Sequence, residues 1–160
     1  MHIHLFFMNS FQSPTLPCMC ANLRRAARAV TQFYEAELRP TGLSSSQFTI
    51  LQALSITGDV TQGRLGEILT MDSTSLTRTL AIMSRQGWLE KRRGTDRREW
   101  RIRLSKAGEK QLSTALPYWE KAQTLLRQQL GRSQSSELTR LVNLATNAVA
   151  EMAASKSGDA

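Results

Sequence analysis

The hydrophobic period of this chain changes at Gly87, and that change constrains the fold more than any other feature. Before Gly87, apolar residues recur every three or four positions. After it, Trp88-Leu89-Glu90-Lys91-Arg92 reads as a short strand, and Trp100-Arg101-Ile102-Arg103-Leu104 alternates apolar with basic residues. Gly94-Thr95-Asp96 supplies a turn between them, and the helical period returns at Ser105. With 41% hydrophobic and 21% charged residues, disorder, collagen and disulfide-scaffold readings are excluded for the bulk of the chain. A length of 160 residues suits one domain of ordinary size. The expected class is therefore mainly α with a small, two-stranded β-hairpin.

The helical blocks carry their own start signals. Leu23, Ala26, Ala27, Val30, Phe33, Tyr34 and Leu38 mark an amphipathic helix over Ala21 to Leu38, stopped by Pro40 and Gly42. Ser44 and Gln47 form a capping box, with Leu43 and Phe48 as a hydrophobic staple, for a helix to about Ser55. Thr61 caps a short helix to Leu69, weakened by Gly63 and Gly66 at about 1 kcal/mol each relative to alanine. Asp72 caps a helix over Ser73 to Gln86. Its apolar stripe is Leu76, Leu80 and Met83, and its opposite face carries Ser73, Thr74, Ser75, Thr77, Arg78, Ala81 and Arg85. Ser105 caps a long helix to about Leu130, with a bend or interruption expected at Pro117. Gly131 ends it. A last helix opens within Ser133 to Ser136 and lines up Leu138, Leu141, Val142, Ala145, Val149 and Met152.

Charge is concentrated. Between Arg78 and Lys106, ten Lys and Arg residues face only Glu90, Asp96 and Glu99, so 29 residues hold +7 of the net +8. A basic segment of this density suits a polyanionic surface. No run approaches the roughly 18 apolar residues of a membrane span, so no membrane partner is expected.

Absences narrow the chemistry. The two histidines, His2 and His4, lie at the extreme N-terminus, and the two cysteines, Cys18 and Cys20, are too close together to staple a fold. No internal histidine can act as a base or ligand, so neither an enzyme, nor a cofactor, nor a metal site is expected. Leu5 to Met8 is a short apolar patch without a preceding basic residue, unlike a secretory signal. A cytoplasmic location with reduced thiols follows. Met8 and Met19 stand as alternative start residues.

A short helix, a three-residue connection and a second helix with a hydrophilic outer face make a helix-turn-helix. The second helix of such a pair enters the major groove and reads bases from its N-terminal part. Ser73, Thr74, Ser75, Thr77 and Arg78 are the candidate DNA contacts, short hydroxyls plus one guanidinium able to pair with guanine. The basic hairpin is a candidate wing, with Arg97 and Arg98 against phosphate or in the minor groove. The competing reading is a winged-helix module for protein contact without DNA binding; short polar side chains argue against it, since interface cores favour aromatics.

Leu65-Gly66-Glu67-Ile68-Leu69, Ser73 to Arg78, Gly87-Trp88-Leu89-Glu90-Lys91 and above all Asp96-Arg97-Arg98 followed by Ile102-Arg103-Leu104-Ser105-Lys106-Ala107-Gly108 resemble the MarR (multiple-antibiotic-resistance regulator) family of winged-helix transcription factors. The resemblance covers nearly all of the chain after residue 18. It implies a winged helix-turn-helix with long terminal dimerisation helices, and a homodimer on a pseudo-palindromic operator, usually as a repressor. It also implies that Asp96 holds the wing through an arginine, Arg78 or Arg98. The expected organisation is a flexible segment 1–17, one domain 18–155 and a frayed tail 156–160. Within the domain, DNA binding takes about 44–104 and dimerisation about 18–39 and 105–155.

The same resemblance implies an effector, a small phenolic or aromatic ligand or a peroxide, acting between the dimer helices and the winged helix. Cys20 precedes Tyr34 by 14 residues, as the reactive cysteine and one partner tyrosine do in the hydroperoxide-sensing branch. Its second tyrosine falls at Ser45 here, however, and no distant cysteine is present to resolve a sulfenic acid. On one helix the two residues stand roughly 21 Å apart, so only an antiparallel dimer crossing would join them. The simpler reading makes Cys20 a small buried apolar residue.

Overall fold

The computed structural model describes residues 14–94 and 99–157. The elements are α1 (Met19–Leu38), a 3-10 turn (Arg39–Thr41), α2 (Ser45–Thr57), β1 (Val60–Thr61), α3 (Gln62–Leu69), α4 (Ser73–Arg85), β2 (Leu89–Arg93), β3 (Trp100–Leu104), α5 (Lys106–Leu130) and α6 (Arg132–Ser157). The fold is mainly α with one small antiparallel sheet.

Local chemistry sets the helix starts. Ser44 Oγ accepts the Gln47 N–H at 3.2 Å, while Gln47 Oε1 accepts the Ser44 N–H at 2.9 Å. Thr61 accepts from Arg64 at 3.1 Å, Asp72 from Ser75 at 2.8 Å and Ser105 from Gly108 at 3.1 Å. Each cap satisfies an amide that the helix itself leaves without an acceptor.

Two expectations need correction. The sheet has three strands, not two, in the order β1-β3-β2, with Val60 opposite Ile102 and Thr61 opposite Arg101. Burial of the Val60 side chain against the core brings its backbone to the edge of β3, which would otherwise be unpaired. The helix is also not interrupted at Pro117, since α5 runs through it from Lys106 to Leu130. Pro117 and Ser113, whose carbonyl loses its donor, are both exposed, so water can serve that oxygen.

The core lies between α2, α3, α4 and the sheet, where Leu51, Leu54, Leu65, Leu80, Met83 and Ile102 are essentially inaccessible. The first half of α5 closes it with Leu112 and Ala115, and Trp119 stacks on Phe48 at 5.9 Å between ring centres. Gly108 permits that closure: a Cβ there would stand 2.1 Å from the Trp88 carbonyl oxygen. The terminal helices differ. Leu38 is the one buried residue of α1, and α6 buries none among its described side chains. No helix among the described residues is long and apolar enough to cross a membrane.

Candidate nucleic-acid interface

The turn between α3 and α4 spans Thr70 to Asp72. Thr70 adopts a left-handed conformation at φ 51, and its N–H donates to the Glu67 carbonyl at 3.1 Å. Met71 N–H donates to the Gly66 carbonyl at 2.9 Å, completing a Schellman-type stop. Glycine is the usual residue at such a position, so a β-branched threonine there carries backbone strain. Gly66 has a packing reason: an added Cβ would lie 3.4 Å from both Leu76 Cδ2 and the Met71 oxygen, where α4 crosses α3.

Leu76, Leu80 and Met83 are buried and fix the rotation of α4. At about 100° per residue, Thr74, Arg78, Ala81 and Arg85 form the ridge diametrically opposite, Ser73 and Thr77 one flank, and Ser75 the other. Ser73, Thr74, Ser75, Thr77 and Arg78, all expected from the sequence, are exposed together on this surface. Their hydroxyls are not equivalent. The Ser75 amide, with help from its hydroxyl, holds the Asp72 carboxyl below the ordinary aspartate pKa, so Ser75 serves the cap. Thr77 Oγ1 accepts from Gln62 Nε2 at 2.8 Å. Arg78 and Arg85 have no ion-pair partner among the described residues.

The expected wing contacts Arg97 and Arg98, and the wing-holding Asp96, lie outside the described residues. The strands below them reveal a different clasp. Arg92 and Arg101 stand directly opposite in the β2–β3 register, an arrangement of like charges that disfavours pairing. Asp59, just before β1, resolves it. Its Oδ2 accepts from Arg92 Nη2 and, at 3.0 Å, from Arg101 Nε, while its carbonyl accepts from Arg101 Nη2 at 2.6 Å. Burial pushes the Asp59 carboxyl up, but the bonds and charges of Arg101 and Arg92 outweigh it and leave the pKa below the ordinary value. Arg103 pairs with Glu90 at 2.7 Å, and the Arg93 guanidinium sits 4.1 Å over the Trp100 ring. Much of the basic segment is thus committed to the wing itself. Lys91 and Lys106 join Arg78 and Arg85 as basic residues without an ion pair among the described residues.

Asp59 and Gln62 are absent from the sequence-based list. Asp59 acts on residues 33 and 42 positions away, and no local pattern announces such a link.

The candidate effector residues are apart. Tyr34 lines a cavity of about 390 Å³ between α1, α2 and α5, together with Val30, Phe48, Trp119, Ser45 and Thr49. Burial raises its phenol pKa, and the charge of Arg127 partly offsets that. Ser45, where the second tyrosine of the hydroperoxide sensors would fall, lines the same cavity. Cys20 does not. It is exposed near the other end of α1 among the described residues, which corrects the expectation of buried packing: of the described α1 residues only Leu38, at the opposite end, is buried.

A small sheet whose two longer strands follow a helix-turn-helix, with a polar second helix facing outward, defines a winged helix-turn-helix protein. Residues 41–99 match the model of the MarR family. The M. tuberculosis transcriptional regulator MosR, solved in complex with DNA, is 32% identical, with 84% of this chain and 97% of that chain covered and a TM-score of 0.76. The HTH-type transcriptional regulator YwoH of Bacillus subtilis is 33% identical over 88 residues, 55% of this chain; the match spans 64% of that relative's length. A mutant MarR from E. coli complexed with operator DNA has the same fold at 19% identity, covering 79% of this chain and 91% of that one, with a TM-score of 0.72. The chain belongs to the MarR family, which is one of transcriptional regulators and not of enzymes.

Proposed function

We propose that this chain is a sequence-specific, double-stranded-DNA-binding regulator that acts in the cytoplasm as a homodimer on a pseudo-palindromic operator. The observation that carries this reading is α4. A buried stripe fixes its rotation, and its opposite ridge presents Thr74 and an Arg78 unpaired among the described residues. The relative MosR, solved with DNA, supports the same use of this fold. Exposed leucines and valines along α6 support a second copy as the partner of the terminal helices.

Selection of binding sites from random duplexes, followed by gel shifts, tests the reading. Arg78→Ala is expected to lower operator affinity by about 1–3 kcal/mol and to relax one base preference in each half-site. Arg97→Ala and Arg98→Ala are expected to weaken binding to all sequences and to reduce the salt slope by about one unit per lost phosphate contact. Failure of the wild type to select any sequence, with retained binding to an acidic protein, would favour the protein-contact module instead.

In this reading the regulator is a repressor relieved by a small phenolic or aromatic ligand seated beside Tyr34. The apolar walls of that cavity and its hydroxyls support the ligand class. The exposure of Cys20 favours a second reading, relief by peroxide, because an accessible thiol is what oxidation requires. Peroxide should then release wild-type protein from DNA but not Cys20→Ser, and Tyr34→Phe should blunt the response. Wild-type binding that is indifferent to peroxide would leave the ligand reading alone.

A further inference from the structure

Six helical threonines, Thr49, Thr57, Thr79, Thr114, Thr139 and Thr146, each donate the hydroxyl proton to the carbonyl four residues earlier, at 2.9–3.0 Å. Thr77 makes no such bond among the described residues. Its hydroxyl is instead met by Gln62, the first residue of α3, whose Nε2 lies 2.8 Å from Oγ1. An amide NH₂ group only donates, so Thr77 Oγ1 is the acceptor in this bond. A hydroxyl has one proton and two lone pairs; with a lone pair engaged and no acceptor for the proton among the described residues, the O–H stays available on an exposed flank of α4.

We propose that Gln62 is a positioning residue for sequence reading. It holds Thr77 as a hydrogen-bond donor, so that Thr77 prefers a base edge offering an acceptor, guanine O6 or N7 or thymine O4, over the amino group of cytosine. The inference rests on the DNA-binding reading above and deepens it. Without Gln62, a threonine hydroxyl can turn either way and discriminates little. With Gln62, the same side chain reads one polarity. Gln62 is well placed for this: it follows the Thr61 cap directly, and Gly63 beside it leaves open space.

The test uses the full-length protein and an operator selected by the wild type. Thr77→Val locates the base pair that Thr77 reads, as the position where discrimination collapses. At that position the wild type should reject cytosine on the contacted strand by about five-fold, the worth of one neutral hydrogen bond. Gln62→Glu offers only acceptors, takes the Thr77 proton and exposes lone pairs, so preference should shift towards cytosine. Gln62→Lys keeps a donor and should retain the rejection of cytosine. Both changes alter charge, but a charge effect is common to all sequences and cancels in the ratio between bases. In a Thr77→Val background, Gln62→Glu should leave the ratio unchanged. A ratio untouched by Gln62→Glu with Thr77 present, or altered equally with Thr77 absent, would overturn the proposal. A wild type that selects no sequence would overturn the DNA reading with it, and that measurement is made before any variant.

Discussion

The two halves of this chain bury their apolar residues very differently. In the winged half, Ile50, Leu51, Leu65, Leu80, Met83 and Ile102 are fully buried within a single copy. In α6, Leu141 is 46% exposed, Leu144 57% and Val149 66%. The same residue types thus serve one region as a finished core and the other as surface. A helix amphipathic in sequence and uncovered in structure is the kind of surface that association covers. The winged half has a closed core within one copy, whereas α6 leaves its apolar residues for the second copy proposed above.

The sharpest way to break that comparison is to truncate leucine on both sides. Leu80→Ala should cost about 2–5 kcal/mol of unfolding free energy at every protein concentration. Leu141→Ala should act mainly through association, so its effect should depend on concentration. Urea unfolding at several protein concentrations distinguishes them, and equal, concentration-independent losses would erase the difference between the halves.

Gly108 lies where the halves join. Gly108→Ala places a methyl against the Trp88 carbonyl and should cost about 1–3 kcal/mol by overpacking, read from chemical denaturation. An unchanged midpoint would mean that α5 is free to move away from the wing.

A pH series sharpens the winged side of the comparison. Asp59 and Asp72 have folded-state pKa values below the ordinary aspartate value, so the stability they add is present above that value, about 3.9. It is lost as pH falls through the lower, folded-state values. Asp59→Asn should flatten part of this acid limb while lowering the thermal midpoint at neutral pH, since Arg92 and Arg101 would then face each other without a counter-ion. The smallest effect is expected at Gly63, where an added Cβ meets nothing within 4 Å. Gly63→Ala should stabilise by no more than about 1 kcal/mol, measured by thermal unfolding.

What the residues announce in advance is local. Ser44 with Gln47, Thr61, Asp72 and Ser105 all cap the helices they precede, because a cap is a bond across three residues. The stripe Leu76, Leu80 and Met83 likewise reports the buried face of α4 directly. Partners distant in sequence are silent. A strand of two residues, Val60–Thr61, has no period of its own, and it exists because Ile102 and Arg101 of β3 stand opposite it in register. Asp59 looks like an ordinary loop acid until Arg92 and Arg101 arrive. Gln62 reads as a neutral helix start until α4 packs across α3. Pro117 fails as a helix breaker because the carbonyl it deprives belongs to exposed Ser113. Cys20 reads as packing because a small apolar residue in sequence does not say which turns of a long helix the core covers.

A single residue, Ser105, separates β3 from α5, and it is bound on both sides. Its N–H donates to the Trp88 carbonyl at 3.0 Å and its hydroxyl to the Gly87 carbonyl at 2.6 Å. The joint therefore has little slack, and α5 leaves it as a rod of 25 residues, about 37 Å long at 1.5 Å per residue. Such a rod works as a lever with a short arm at the wing. A tilt of about 5° at Ser105 carries the far end of a rod of that length about 3 Å. By the same geometry, if α5 and the sheet moved as one rigid body, a shift of a few ångströms where α5 meets α6 would turn the sheet by a few degrees.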